Sequence, residues 1–381
     1  MPILNLKLNN ILSFSNFEIN FSYPIKLRRN LIGEENLESI PSFRYKKLNV
    51  FVGANASGKT SLMKCIWKIL LFLRVNEKQD ILEIVNKKFE ESYIEVDLAD
   101  ELIDGYYLRR YKIKIINKAN DSDILVSQSS LKLNNGDSYE SRVKDFNNIE
   151  DDYKNYIEAL GDARPNDGWN LTLPATESGF DKIKFIDTKD KKEENEYLDI
   201  LNRVLKTLDP AIISVKKSLD ADNAISIEHE GSVNKLILQA GNPLANVELL
   251  SSGTKYGINI ANIIYSITKH INGIYLIDEQ FSYVNSDVEE AMLSTMVSML
   301  GANEQLFFTT HNANILSLGY PFHSFYFLKK IGENGKKTVK VSCASEVENR
   351  NNVSPKSLLD NDVFSTAPDV NKIFELGEIH E

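Results

Sequence analysis

Cysteine is nearly absent from this chain: Cys65 and Cys343 are the only two in 381 residues. Two thiols cannot build a disulfide framework or a cysteine metal site, so a reducing compartment suits the protein. The cytoplasm is therefore the expected location. Long hydrophobic runs are also missing. The longest, around Ile66 to Val75, is too short to span a bilayer and is interrupted by Lys68. Pro2 to Lys7 already alternates like a strand, so no secretory signal is read at the start and no membrane partner is expected. An excess of positive charge is lacking too, since the net charge is −10. Nucleic-acid binders usually carry a basic face. The small basic clusters here, Arg28-Arg29, Arg109 to Lys112 and Lys216-Lys217, read as solvated faces. Nucleic acid is a possible partner without support from composition. Sustained heptads are absent, which excludes a long coiled coil.

Hydrophobic residues make up 42% and charged residues 26%, the balance of a soluble globular protein with one large domain or two ordinary ones. Gly53-Ala54-Asn55-Ala56-Ser57-Gly58-Lys59-Thr60 fits G-x-x-x-x-G-K-[ST]. Leu48 to Val52 reads as a buried strand leading in, and Ser61 to Leu70 as a helix leading out. The glycines let the backbone curl so that successive N–H groups face a phosphate at the positive end of a helix dipole. Lys59 would reach the β- and γ-phosphates, and the Thr60 hydroxyl would sit on Mg²⁺. Gly53, Asn55, Ala56, Ser57, Gly58, Lys59 and Thr60, with Ser61 at the helix start, are the nucleotide-binding candidates.

The expected class is α/β, with a mixed sheet, an antiparallel meander and a helical insert. Residues 1–140 read as an N-terminal lobe: strands Ile3 to Leu8 and Phe17 to Phe21, a surface insertion from Tyr23 to Lys46, the glycine-rich loop, then a meander. Residues 141–210 read as the insert, with helices over Tyr153 to Leu160 and Glu194 to Leu208. Residues 211–341 read as a C-terminal lobe: three strands, then loop, helix, strand, helix, strand. Residues 342–381 form a polar tail, with helical potential only near Asp369 to Leu376.

Three segments of the C-terminal lobe narrow the chemistry. Gly273 to Glu279 is an apolar run ending in two carboxylates, the pattern of a buried parallel strand delivering charge at its C-terminal edge. Asp278 would hold metal and Glu279 would orient or deprotonate water, the two pointing to opposite sides of the strand end. Gln305 to Asn312 repeats the design, an apolar strand ending in polar residues, and its His311 could sense a γ-phosphate. Leu249 to Lys255 places Ser251, Ser252 and Gly253 before a helix running from about Tyr256 to His270, a second anion-binding surface.

Taken in order, these motifs resemble the ABC-type ATPases of the SMC, RecF and OLD group. The closest look-alikes are the stand-alone AAA-type ATPases of bacterial antiphage and abortive-infection systems. The resemblance implies that Gly53 to Thr60 act as Walker A, Leu250 to Thr254 as the ABC signature, Asp278 and Glu279 as Walker B, and His311 as the switch histidine. It implies ATP and Mg²⁺ as cofactors. It also implies a homodimer in which Ser251 and Gly253 of one copy complete the ATP site of the other. A separate effector protein is the further partner implied, because no convincing acidic metal triad of a Toprim domain follows His311. Two alternatives stand beside this reading: a DNA repair or recombination clamp, and a nucleotide-bound scaffold with negligible hydrolysis. The chain departs from the family after Walker B, where it runs Gln280-Phe281-Ser282-Tyr283, and its Q-loop glutamine is placed only by position, at Gln128.

Overall fold

The computed structural model describes residues 1–24, 31–118, 121–161, 169–172, 188, 190–219, 224–231, 235–239, 242–243, 252–281, 284–333, 336–347, 353–366 and 373–375. Two units divide the chain, one comprising residues 1–166 and 307–381 and the other 167–306. The segment 141–210 is shared between them.

The first unit contains the expected meander, longer than its sequence pattern suggests. Glu91–Leu102, Gly105–Asn117 and Ser122–Lys132 pair antiparallel in succession, and Ile3–Asn9 and Phe17–Asn20 extend the sheet on the other side. Phe17–Asn20 alternates and buries one face, whereas Ile94 to Asp100 in the first meander strand are buried on both faces of the sheet. Gln128 lies mid-strand opposite Tyr111. A parallel pair, Leu48–Val52 with Phe325–Glu333, forms the heart of a second sheet. Gln305–Thr310 flanks Leu48–Val52 on its other side, and Lys336–Cys343 closes the far edge. Every residue of Leu48–Val52 and of Gln305–Thr310 is buried, as strands covered on both faces require.

Three expectations are corrected here. The stretch from Tyr23 to Lys46 is not a surface insertion, at least over its described part. Asn36–Leu37 and Ile40–Arg44 form a hairpin, and Leu37, Ile40, Phe43 and Tyr45 join Leu4, Leu108 and Tyr139 in a core beneath the meander. Pro41 occupies an exposed position of that hairpin, where a missing N–H is tolerated. The cluster Arg109-Arg110 is not a solvated face. Both side chains are buried, Arg110 making two 2.7 Å bonds to the carboxylate of Asp97 and Arg109 lying 3.3 Å from Asp100. Arg28-Arg29 lies outside the described residues. The polar tail is partly structured: Pro355–Asp360 is a helix capped by Ser354, and the Phe364 ring stacks on Phe327 at 3.7 Å. Helix also covers residues 373–375; the rest of the helical stretch expected near there lies outside the described residues.

In the second unit, Trp169–Thr172 pairs parallel with Ile274–Asp278. Four antiparallel strands follow one another: Ile212–Lys217, Ala224–His229, Leu236–Gln239 and Asn242–Pro243. Helix Lys191–Leu208, capped by Asp190, lies against helix Ser252–Thr268. Gly257 permits this approach, because a Cβ there would lie 2.6 Å from a Leu208 methyl. Tyr197 ties the two helices, donating to Asn262 at 2.7 Å and meeting Tyr265 edge-on. Among the described residues, no helix is long and apolar enough to cross a membrane.

The ion pair under the meander generates a stability prediction. Asp97 is fully buried, bound by Arg110 and by the Tyr139 hydroxyl at 2.6 Å. Removing the cation leaves a buried charge uncompensated, so Arg110→Ala should cost about 3–5 kcal/mol in urea unfolding. The double change Asp97→Leu with Arg110→Met should cost far less; equal losses would contradict this account.

Candidate functional site

The glycine-rich loop is built in the first unit, between strand Leu48–Val52 and helix Lys59–Val75. The helix forms because Leu62, Met63, Cys65, Ile66, Ile69 and Leu73 recur on a buried face. Burial pushes the Cys65 thiol up, which keeps it inert. Lys68, also on this helix, is held by Asp80 at 2.8 Å and Glu83 at 2.9 Å. No acidic residue occupies the first turn, so the positive end of the helix dipole is uncompensated by its own side chains.

Sterics define the loop. A Cβ on Gly53 would stand 2.5 Å from the carbonyl oxygen of Leu328 and 2.7 Å from the Ser57 hydroxyl. One on Gly58 would stand 2.7 Å from a Val339 methyl, and Gly58 itself has φ +112°, a conformation L side chains rarely adopt. Ala56 also takes a left-handed φ of 62°. The Ser57 amide donates to Ala54 at 3.1 Å, closing the curl. Lys59 is buried, and its ammonium donates to the carbonyls of Gly53 at 2.8 Å and Ala54 at 3.3 Å. Asn55, Ala56 and Thr60 are exposed, and Ser61 is half-buried. The loop therefore brings a captive cation, a helix N-terminus and the exposed Thr60 hydroxyl to one place. An anion with several oxygens fits that set.

His311 belongs to the same unit. It is exposed, directly after Gln305–Thr310, the strand that neighbours Leu48–Val52. The Asn312 amide donates to Thr310 Oγ1 at 2.8 Å, and the Asn312 side chain caps the turn that follows at Asn314. These bonds fix the backbone on which His311 stands.

The acidic pair belongs to the second unit. Asp278 ends strand Ile274–Asp278 and is fully buried, while Glu279 is half-buried. The expected alternation of the two carboxylates across a strand end is corrected by the backbone. Glu279 has φ 45°, in the left-handed region, so the extended geometry stops at Asp278. That conformation costs a non-glycine residue about 1–2 kcal/mol. Gln280, next in sequence, is fully buried and donates from its amide to the Asp278 carbonyl at 3.3 Å. Sequence reasoning gave Gln280 no role, since nothing in a lone glutamine signals burial; its position directly after the acidic pair was the only clue. Ser251 lies outside the described residues. Ser252 and Gly253 open helix Ser252–Thr268, which starts earlier than its apolar pattern suggests and has no acid in its first turn.

A family model described as an AAA domain matches residues 5–239, more than half of the sequence. The chain belongs to this AAA-domain family. The matched span holds the glycine-rich loop and ends before Asp278 and His311. No curated protein matches the AAA-domain chain. It is similar to solved structures of SMC heads. One is the Smc head bound to the C-winged helix domain of ScpA, 14% identical, with TM-score 0.54, covering 91% of this chain and 100% of the other. Another is the Smc head domain with an extended coiled coil bound to the C-terminal domain of ScpA, derived from Pyrococcus furiosus. It is 12% identical, with TM-score 0.50, covering 91% of this chain and 97% of that one. At this identity the likeness shows a shared fold: the AAA-domain protein has the α/β architecture of an SMC head, with mixed sheets and an antiparallel meander.

Because the walls of the loop are a carbonyl and a branched methyl, the cradle should not tolerate side chains. Gly53→Ala is expected to destabilise the protein by about 1–3 kcal/mol in urea melts. Gly332→Ala, where a Cβ meets nothing within 4 Å, should stay within about 0.5 kcal/mol of wild type. Equal shifts would show that the loop is not sterically closed.

Proposed function

We propose that this AAA-domain protein is a Mg²⁺-dependent ATPase of the ABC type that works as a nucleotide-gated homodimer. The observation that carries the reading is the loop Gly53–Thr60, where two positions exclude any side chain and Lys59 is already held in the curl. The residues fit the nucleotide and its cation. The curl and uncapped helix end suit phosphate, while the Thr60 hydroxyl and Asp278 carboxylate are hard oxygen donors suited to Mg²⁺.

Lys59 exchanges its bonds to loop carbonyls for bonds to phosphate oxygens, carrying its charge with it. The backbone N–H groups of Asn55 to Thr60 and the Ser61 side of the first turn orient the phosphates for in-line attack. Glu279 orients water and accepts its proton. His311 reads whether the γ-phosphate is present. Bound Mg²⁺ would neutralise charge developing on the phosphates. Ser251, Ser252 and Gly253 of a second copy complete the site, which makes assembly depend on nucleotide and dissociation on hydrolysis. The order of the motifs supports this arrangement, as does the α/β architecture shared with SMC heads.

We place this machine in antiphage defence with a separate effector protein, on the resemblance of its compact motif set to the stand-alone ATPases of such systems. A DNA repair role is the alternative, and ATP-dependent, salt-sensitive DNA affinity would favour it.

The reading predicts the behaviour of two variants. Lys59→Ala should lose ATP binding, and Glu279→Gln should bind ATP but turn over roughly 10²–10³-fold more slowly. Light scattering should find Glu279→Gln accumulating as a dimer with Mg²⁺-ATP. Equal near-zero turnover in wild type and Glu279→Gln would remove the enzyme and leave a binding scaffold.

A further inference from the structure

Resting on the ATPase reading above, we propose that Gln280 is a positioning residue for Glu279. Its buried amide reaches back across Glu279 to the Asp278 carbonyl and braces the left-handed backbone that presents the acid.

Three observations meet at this turn. Glu279 holds φ 45°, a conformation the surrounding structure must maintain because a glutamate does not choose it. Gln280 is fully buried, and its one described hydrogen bond spans the strained residue, Nε2 to the Asp278 oxygen at 3.3 Å. Its Oε1 is buried with no hydrogen-bond partner among the described residues. A buried amide with an unmatched oxygen is a poor choice for packing alone, where leucine would fill similar space without the desolvation penalty. The bond instead closes a small ring over Asp278, Glu279 and Gln280. Within that ring the backbone of the water-handling acid cannot relax to negative φ without losing the amide's partner. Phe281, also buried, anchors the chain on the far side.

Gln280 touches neither nucleotide nor water in this role; it sets where Glu279 stands.

The test pairs kinetics with a structure. In the full chain, Gln280→Leu should lower kcat for Mg²⁺-ATP by roughly ten- to a hundredfold, the usual effect of losing a supporting partner. KM for ATP should stay within about twofold, since uniform binding is untouched. A crystal structure of the variant should show Glu279 moved to negative φ. Gln280→Met, equal in length and lacking the amide, carries both readouts if the leucine variant does not fold. Unchanged kcat in an active background, or Glu279 still left-handed without the amide, would overturn the proposal. If wild type itself shows no turnover, the ATPase reading falls, and the backbone of Glu279 in the variant still decides whether Gln280 braces it.

Discussion

The chain at Gly53 and Gly58 runs so close to Leu328 and Val339 that hydrogen is the only side chain the space allows. That contact fixes the curl of the loop, and the curl decides what can bind. A wider loop would let water reach the carbonyls of Gly53 and Ala54; here Lys59 takes them, which stores a cation where it can be handed to phosphate. Walls and loop belong to neighbouring elements of one sheet, since Phe325–Glu333 pairs parallel with Leu48–Val52 and Lys336–Cys343 lies beyond it. The site is therefore only as rigid as that sheet.

Rigidity around it comes from two kinds of burial. Aromatic side chains stack through the sheet: Phe51 lies parallel to Phe307 and Tyr326, and Phe21 meets Phe307 edge-on. Ion pairs serve the meander instead. Asp97 with Arg110 and Tyr139 fixes the register of adjacent strands, because a one-residue slip would strand the charge. An acidic protein thus keeps two arginines inside, where they contribute to structure and are withdrawn from any contact with nucleic acid.

Much of the architecture was legible where periodicity was strong. Strands Ile3–Asn9 and Leu48–Val52, the meander and helix Lys191–Leu208 all stand near their expected places, because short apolar runs, alternation and helical spacing are written directly into residue type. The hairpin over Asn36 to Arg44 was missed because Pro41, Gly33 and its short strands resemble loop chemistry, whereas burial of Phe43 and Tyr45 is decided by distant partners. Arg109 and Arg110 misled for a similar reason: charge pairing across strands cannot be read along one. At the site, the glycine-rich motif announced the loop but not its walls, which come from near the other end of the chain. The left-handed Glu279 and buried Gln280 depend on tertiary packing that leaves no local pattern.

The central claim is that the loop of residues 53–60 grips a nucleoside triphosphate. Calorimetric titration of Mg²⁺-ATP into the wild-type full chain tests it most directly, with AMP as the comparison. One ATP bound per chain, with AMP at least about tenfold weaker (a difference of about 1.4 kcal/mol), is the predicted result. No binding heat, or equal affinity for ATP and AMP, would contradict the account.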